Sequence, residues 1–298
     1  MSDTQMNEII ADALDFWKEI EGMNYVIERC DIINSKPNRR FNQILELILS
    51  ANIMPIKSSD FKTQTPEETF KRVRDLYHEM FSGKYDEVIS MFETRTKEST
   101  TFTEFDGGIA FEVNPKNKTK TVSKIRLYSL KSLYSSTALS HEDMHGLFCL
   151  NPIEQSLNFN YNELLPITIE KIMAHNLGDD ILLKKQAIRM HHFKETTKEY
   201  RSIIPYFSEL DIPNEKLSPT ALTFKYSFYL AYGYMISTIY AEQLFAYYLE
   251  NPEAITTRIT NIIERKENIP SVLKDLNINL GDNTTFNTFQ KTLTKVSK

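Results

Sequence analysis

The sequence predicts a mainly α protein with a small antiparallel β-sheet just before a histidine-bearing helix. Three observations carry this reading. Apolar residues recur at three- and four-residue spacing through most of the 298 residues. Two stretches rich in β-branched and aromatic residues stand near 101–130. Eight glycines and eleven prolines favour long regular elements over flexible linkers.

The elements follow in order. "EIIADALDFWKEIEGMNYVIERC" and "RFNQILELILSANI" place helices within residues 4–53, with Trp17 on an apolar face. "TQTPEETFKRVRDLYHEMFSG" is bounded at both ends: Thr65 caps, Pro66 suits the first helical position, Glu68 completes a capping box and Gly83 ends the run. "YDEVISMFETR" is a further helix. "TFTEFDGGIAFEVNP" and "TVSKIRLYSL" read as strands joined by a turn at "NPKNKTK". Helices then cover 132–148, 162–176, 179–208, 218–250, 252–267 and 284–296. The change of pattern near residue 100 divides the chain into an N-terminal helical region, 1–100, and a second region, 101–298.

Composition narrows the function. Hydrophobic residues at 41% and charged residues at 25% are ordinary for a soluble globular chain. A net charge of -5 argues against nucleic acid as a partner. Cys30 and Cys149 form no CxxC pair or disulfide framework, which suits a reducing compartment. The N-terminus lacks the basic and apolar regions of a signal peptide, and no stretch approaches the ~20 apolar residues of a membrane span. A cytoplasmic protein is expected, or one exported by a route that leaves no N-terminal signal. Neither membrane nor nucleic acid is an expected partner.

The chemistry concentrates in "STALSHEDMHGLF", residues 136–148. His141-Glu142-Asp143-Met144-His145 fits H-E-x-x-H. Residues four apart share a helix face, so both imidazoles can reach one metal ion. Glu142, one position round, can act as a general base on a water at that ion without ligating it. Catalytic zinc takes a third protein ligand. A histidine six residues beyond His145 is ruled out, since that position is Asn151. "NFNYNELLPITIEKIMAHN" offers Glu163 and Glu170, seven apart and therefore pointing nearly the same way on a helix. One can ligate the metal while the other accepts a hydrogen bond from a liganding imidazole. His175 is a rival third ligand, ranked below Glu163. The adjacent His191 and His192 point about 100° apart on a helix and suit a surface role.

"TALSHEDMHGL" followed by "NELLPITIEK" resembles the thimet oligopeptidase and oligoendopeptidase F group of zinc peptidases, in which H-E-x-x-H is followed by a glutamate ligand and a second glutamate seven residues on. "KYSFYLAYGYMISTIYAEQLFAYYLENPE" resembles that family's tyrosine-rich helix. The resemblance covers roughly residues 105–255. It implies a zincin-like helical fold and one zinc ion per chain, held by His141, His145 and Glu163, with Glu170 orienting a ligand histidine. It further implies Glu142 as general base, Tyr234 and then Tyr232 as hydrogen-bond donors to the oxyanion, and a peptide as substrate. Strand residues 109–113 would bind the substrate backbone by β-addition. Several positions depart from the family pattern. Met144 replaces a glycine, Pro166 lies one place late, the loop from His145 to Glu163 is short, Ala231 replaces a tyrosine, and Leu222 or Thr223 stands where the family has a histidine. The chain is also about half the usual family length. Three other readings stay open: another peptidase type with the same ligands, a catalytically inactive helical scaffold that binds a peptide or protein, and a helical interaction protein with an accidental motif. Oligomeric state is not legible in the sequence.

Overall fold

A computed structural model describes residues 39–53, 55–57, 60–81, 83, 101–103, 107–113, 122–128, 132–149, 161, 163–200, 219–264 and 266–297. Trp17, the helix expected at 85–95 and the turn at 114–120 lie outside these residues, as do the side chains of Cys149, Leu222, Thr223, Ala231 and Tyr232. Helices make up most of what is described. They are α1 (Arg39–Ser50), α2 (Pro66–Phe81), α3 (Leu133–Cys149), α4 (Leu164–Leu177), α5 (Asp179–Tyr200), α6 (Pro219–Glu250), α7 (Pro252–Ile263), α8 (Ile269–Asp275) and α9 (Asn283–Val296). Among the described residues no helix is long and apolar enough to cross a membrane.

Three short strands, β1 (Thr101–Thr103), β2 (Gly107–Val113) and β3 (Val122–Tyr128), lie in the order β1-β3-β2. β2 and β3 are antiparallel, with Ala110 opposite Ile125, while β1 runs parallel to β3. The sheet expected as antiparallel is therefore mixed. A β2–β3 pair leaves the far edge of β3 with unpaired peptide groups, and Thr101–Thr103 satisfies part of that edge. β2 and β3 both pack on α3, the helix that carries the histidines.

Local chemistry explains the ends of several helices. The Thr65 amide donates to Glu68 Oε2 at 2.7 Å and the Glu68 amide to Thr65 Oγ1 at 3.2 Å, a reciprocal capping box at the start of α2. Asn251, Asn268 and Asp282 accept from backbone amides at the starts of α7, α8 and α9. The short α8 was not anticipated; its seven residues carry too little periodicity, although Asn268 and Pro270 mark its start. Gly178 alone separates α4 from α5, and its φ of 127° is a conformation that side chains with a Cβ rarely adopt. The two helices therefore turn back sharply on one another and pack together.

Helix α4 is the centre of the core. Every residue from Leu164 to Ala174 is buried, as expected of a helix that is apolar nearly all round. It packs against α3, α5 and α6. The surrounding core draws Ile44 and Ile48 from α1, Val73 and Leu76 from α2, Leu139 and Met144 from α3, Met190 and Phe193 from α5, and Phe289 and Leu293 from α9. Tyr77 on α2 donates its hydroxyl to the Ser140 carbonyl at 2.8 Å, tying α2 directly to the histidine helix.

Two consecutive ionisable residues of α4, Glu170 and Lys171, are both buried. Lys171 Nζ lies 2.7 Å from Glu242 Oε1 on α6. Thr292 Oγ1 donates to Glu242 Oε2 at 2.8 Å and Gln186 Nε2 donates to it at 3.3 Å. Burial pulls the Lys171 ammonium below its ordinary pKa, and Glu242 opposes that pull. This pair fastens α4, α5, α6 and α9 around one carboxylate. Lys171→Met strands Glu242 in the core and is expected to reduce unfolding free energy by about 3–5 kcal/mol. Urea denaturation checks this, and the additional change Glu242→Leu should recover part of the loss.

Candidate metal centre

His141 and His145 stand on one face of α3, with ring centroids 4.9 Å apart and Nε2 atoms 3.2 Å apart. Glu163 occupies the position just before α4. A residue there usually turns its side chain onto the free amides of the first turn, but Glu163 makes no such cap. Its Oε2 lies instead 3.1 Å from His141 Nε2 and 3.4 Å from His145 Nε2. Pro166 fits because the first-turn amides have no partner within the helix to lose.

The three donor atoms thus form a nearly equilateral triangle with edges of 3.1–3.4 Å. A tetrahedral zinc ion with ligands at roughly 2.0–2.2 Å would space them about 3.3–3.5 Å apart, so the triangle matches one face of such a site. Glu163 Oε2 is also buried, and no side chain among the described residues meets it in hydrogen-bond geometry. Both observations fit a cation shared by the three atoms. Among the described residues, these three side chains form a group that can hold a metal ion.

Glu170 approaches the same imidazole from behind. Its Oε2 lies 3.1 Å from His141 Nδ1, so the two glutamates seven apart reach the two nitrogens of one histidine. Two cations of α5 neutralise Glu170: Arg189 Nη2 at 2.6 Å from Oε2 and Lys185 Nζ at 3.2 Å from Oε1. Burial alone would raise the Glu170 pKa, but Arg189 and then Lys185 hold it well below the usual carboxylate range. Burial lowers the His141 pKa, yet Glu163, Glu170 and Glu142 together outweigh it and raise the imidazole to about 9 in the metal-free protein. Glu163 is shifted the other way: burial raises it, and His145 and His141 bring it far below its ordinary value.

The remaining candidates are placed as follows. Glu142 is buried beside His141 and contributes to the rise in that imidazole's pKa. Tyr234 on α6 packs edge-on against Phe193, with ring centroids 6.1 Å apart, and the Arg189 guanidinium carbon lies 5.2 Å from its ring centre. Burial pushes its phenol well above the ordinary value. Arg189 pulls against this, and Glu163 and Glu170 add to the rise. The Tyr232 backbone lies on the same helix, two residues before Tyr234. His175 does not join the cluster. It sits near the end of α4, 3.4 Å from Asp179 Oδ1. His192 is exposed and His191 half-buried on α5, away from the three donors. Met144, in place of the expected glycine, is fully buried in the core. Lys185 and Arg189 were missed from sequence; their only signal is four-residue spacing on α5, continued by Phe193.

The site thus defines a class, a His-His-Glu cluster able to hold a metal ion, built on two packed helices with a buried carboxylate behind His141. Comparison with protein-family models, with curated proteins and with solved structures finds no match.

The purified protein is expected to carry about one metal ion per chain, and His145→Ala to lose it, as read by elemental mass spectrometry. The metal-free state has its own pH signature. The His141 pKa of about 9 lies above its ordinary 6.5, so its stabilising contribution is complete below about pH 6.5 and is lost as pH rises through about 9. Urea melts of chelator-treated protein should show falling stability across that interval. Saturation with zinc should remove the fall, because ligation requires the neutral imidazole.

Proposed function

We propose that the protein is a zinc-dependent peptidase, zincin-like in architecture, that hydrolyses oligopeptides. The observation that carries this reading is the convergence of His141 Nε2, His145 Nε2 and Glu163 Oε2 at 3.1–3.4 Å beside Glu142. Two imidazoles and one carboxylate suit zinc well. A zinc ion held by these atoms would polarise a scissile carbonyl and lower the pKa of a water in its fourth position. The chain's own residues supply the rest. Glu142 takes the proton of the attacking water and delivers it to the leaving amine. Glu170 Oε2, 3.1 Å from His141 Nδ1, stands where it would accept a hydrogen bond from that nitrogen, fix the ring and raise its basicity as a ligand.

Tyr234 donates to the developing oxyanion. Its raised pKa keeps the phenol protonated at working pH, as a donor requires. The resemblance to the oligopeptidase family would give Tyr232 a supporting part. An edge position in the sheet and packing against α3 support β2 as the strand that receives the substrate backbone.

A quenched-fluorescence peptide assay on the zinc-loaded protein tests the reading. Glu142→Gln should keep the metal and lose at least about 10²-fold in kcat. Tyr234→Phe should lower kcat by roughly 10- to 10³-fold with little change in KM. Stoichiometric zinc with no turnover of any peptide in a mixed library would overturn the peptidase assignment and favour a peptide-binding scaffold.

A further inference from the structure

Three features on α5 have no part in the proposed reaction so far. Lys185, Arg189 and Phe193 follow one another at four-residue spacing along α5. Lys185 reaches Glu170 Oε1, and its ammonium lies 3.8 Å from the centre of the Tyr134 ring. Arg189 reaches Glu170 Oε2, the same oxygen that faces His141 Nδ1. Phe193 packs edge-on against Tyr234. A carboxylate needing only neutralisation would be served by Lys185. Arg189 is a second buried cation, with side-chain exposure of 11%. Burying it is costly unless its contacts return the energy. Its Nη1 is buried and has no hydrogen-bond partner among the described residues, so charge pairing with Glu170 does not use the whole fork.

What distinguishes Arg189 from Lys185 is its second neighbour. The guanidinium that grips Glu170 Oε2 at 2.6 Å also stands 5.2 Å from the centre of the Tyr234 ring, inside the range of a cation–π contact. Lys185 also combines Glu170 with a ring, that of Tyr134, but an ammonium is a point charge that fixes no plane, whereas the guanidinium presents its donors in a rigid planar fork. We propose that Arg189 is a positioning residue, holding the carboxylate behind His141 and the ring of Tyr234 in one fixed arrangement so that metal ligand and oxyanion donor are set by a single side chain. This inference rests on the peptidase reading of the site.

The test is a double-mutant cycle in the full chain, with Arg189→Met, Arg189→Lys and Tyr234→Phe. Zinc affinity is read by chelator competition, and kcat and KM by peptide hydrolysis at saturating zinc. Arg189→Met should weaken zinc binding by about 10- to 100-fold through the released Glu170–His141 contact. At saturating zinc it should still lose kcat by tenfold or more, with KM within about twofold. In the Tyr234→Phe background that kcat loss should largely disappear, because the donor being positioned is already gone. Arg189→Lys, which keeps the charge without the planar fork, should recover zinc affinity more fully than kcat.

Unchanged zinc affinity together with unchanged kcat in Arg189→Met overturns the inference, as do kcat losses that simply multiply with those of Tyr234→Phe. Should circular dichroism show Arg189→Met unfolded, Arg189→Lys decides: wild-type kcat there overturns the inference, and reduced kcat with retained zinc supports it. A wild-type protein that binds zinc but cleaves no peptide removes the peptidase reading instead. The zinc-affinity arm then still decides whether Arg189 holds the Glu170–His141 contact.

Discussion

Glu170 is a carboxylate at 4% exposure, and a buried charge must be neutralised where it stands. The rest of the structure depends on how this is done. Arg189 and Lys185 approach from α5, and His141 approaches from α3. Three helices thereby meet at one side chain, and the imidazole that faces Glu163 with its other nitrogen acquires a fixed orientation. Had Glu170 been apolar, α3 and α4 could still pack, but the Nδ1 side of His141 would lose its carboxylate neighbour. Lys171, the next residue, makes a second buried pairing about a quarter-turn round the helix. Its pairing with Glu242 locks α4 to α6, the helix that carries Tyr234. Adjacent residues on a helix point about 100° apart, so one buried turn of α4 binds both walls of the site.

Two departures from the pattern expected of the sequence have a place in this arrangement. Met144 stands where the family pattern has a glycine, and its side chain belongs to the buried core. Glu163 lies at the helix boundary rather than within the helix. The shift matters little, because the distance that counts is from Oε2 to the two imidazoles, and a boundary residue has the freedom to turn its side chain outward. Electrostatics and geometry then agree. Carboxylates crowd His141 and raise its pKa, while two imidazoles depress Glu163. In the metal-free cluster opposite charges lie close together, and Glu163 Oε2 has no separate donor among the described residues.

Much of the site was legible because helical periodicity is a local rule. His141 and His145 share a face at four-residue spacing, and Glu163 and Glu170 were paired by their spacing of seven. The capping box at Thr65 was legible for the same reason. The sheet was less so: a three-residue strand such as Thr101–Thr103 has no pattern that reveals which edge it joins or in which direction. Lys185 and Arg189 look like any charged positions on a helix with mixed composition, and only packing shows that they face inward.

By itself, then, the sequence determined a mainly helical chain, the pair of histidines with a glutamate between them, and the acids able to complete their ligation. These follow from residue type and spacing within single helices. The tertiary structure decided which acid faces which nitrogen, that His175 stands apart, and that two cations of α5 converge on Glu170. Those outcomes depend on the sharp reversal at Gly178 and on the burial of α4, because the energy of a charge is set by what surrounds it in space rather than by its neighbours along the chain.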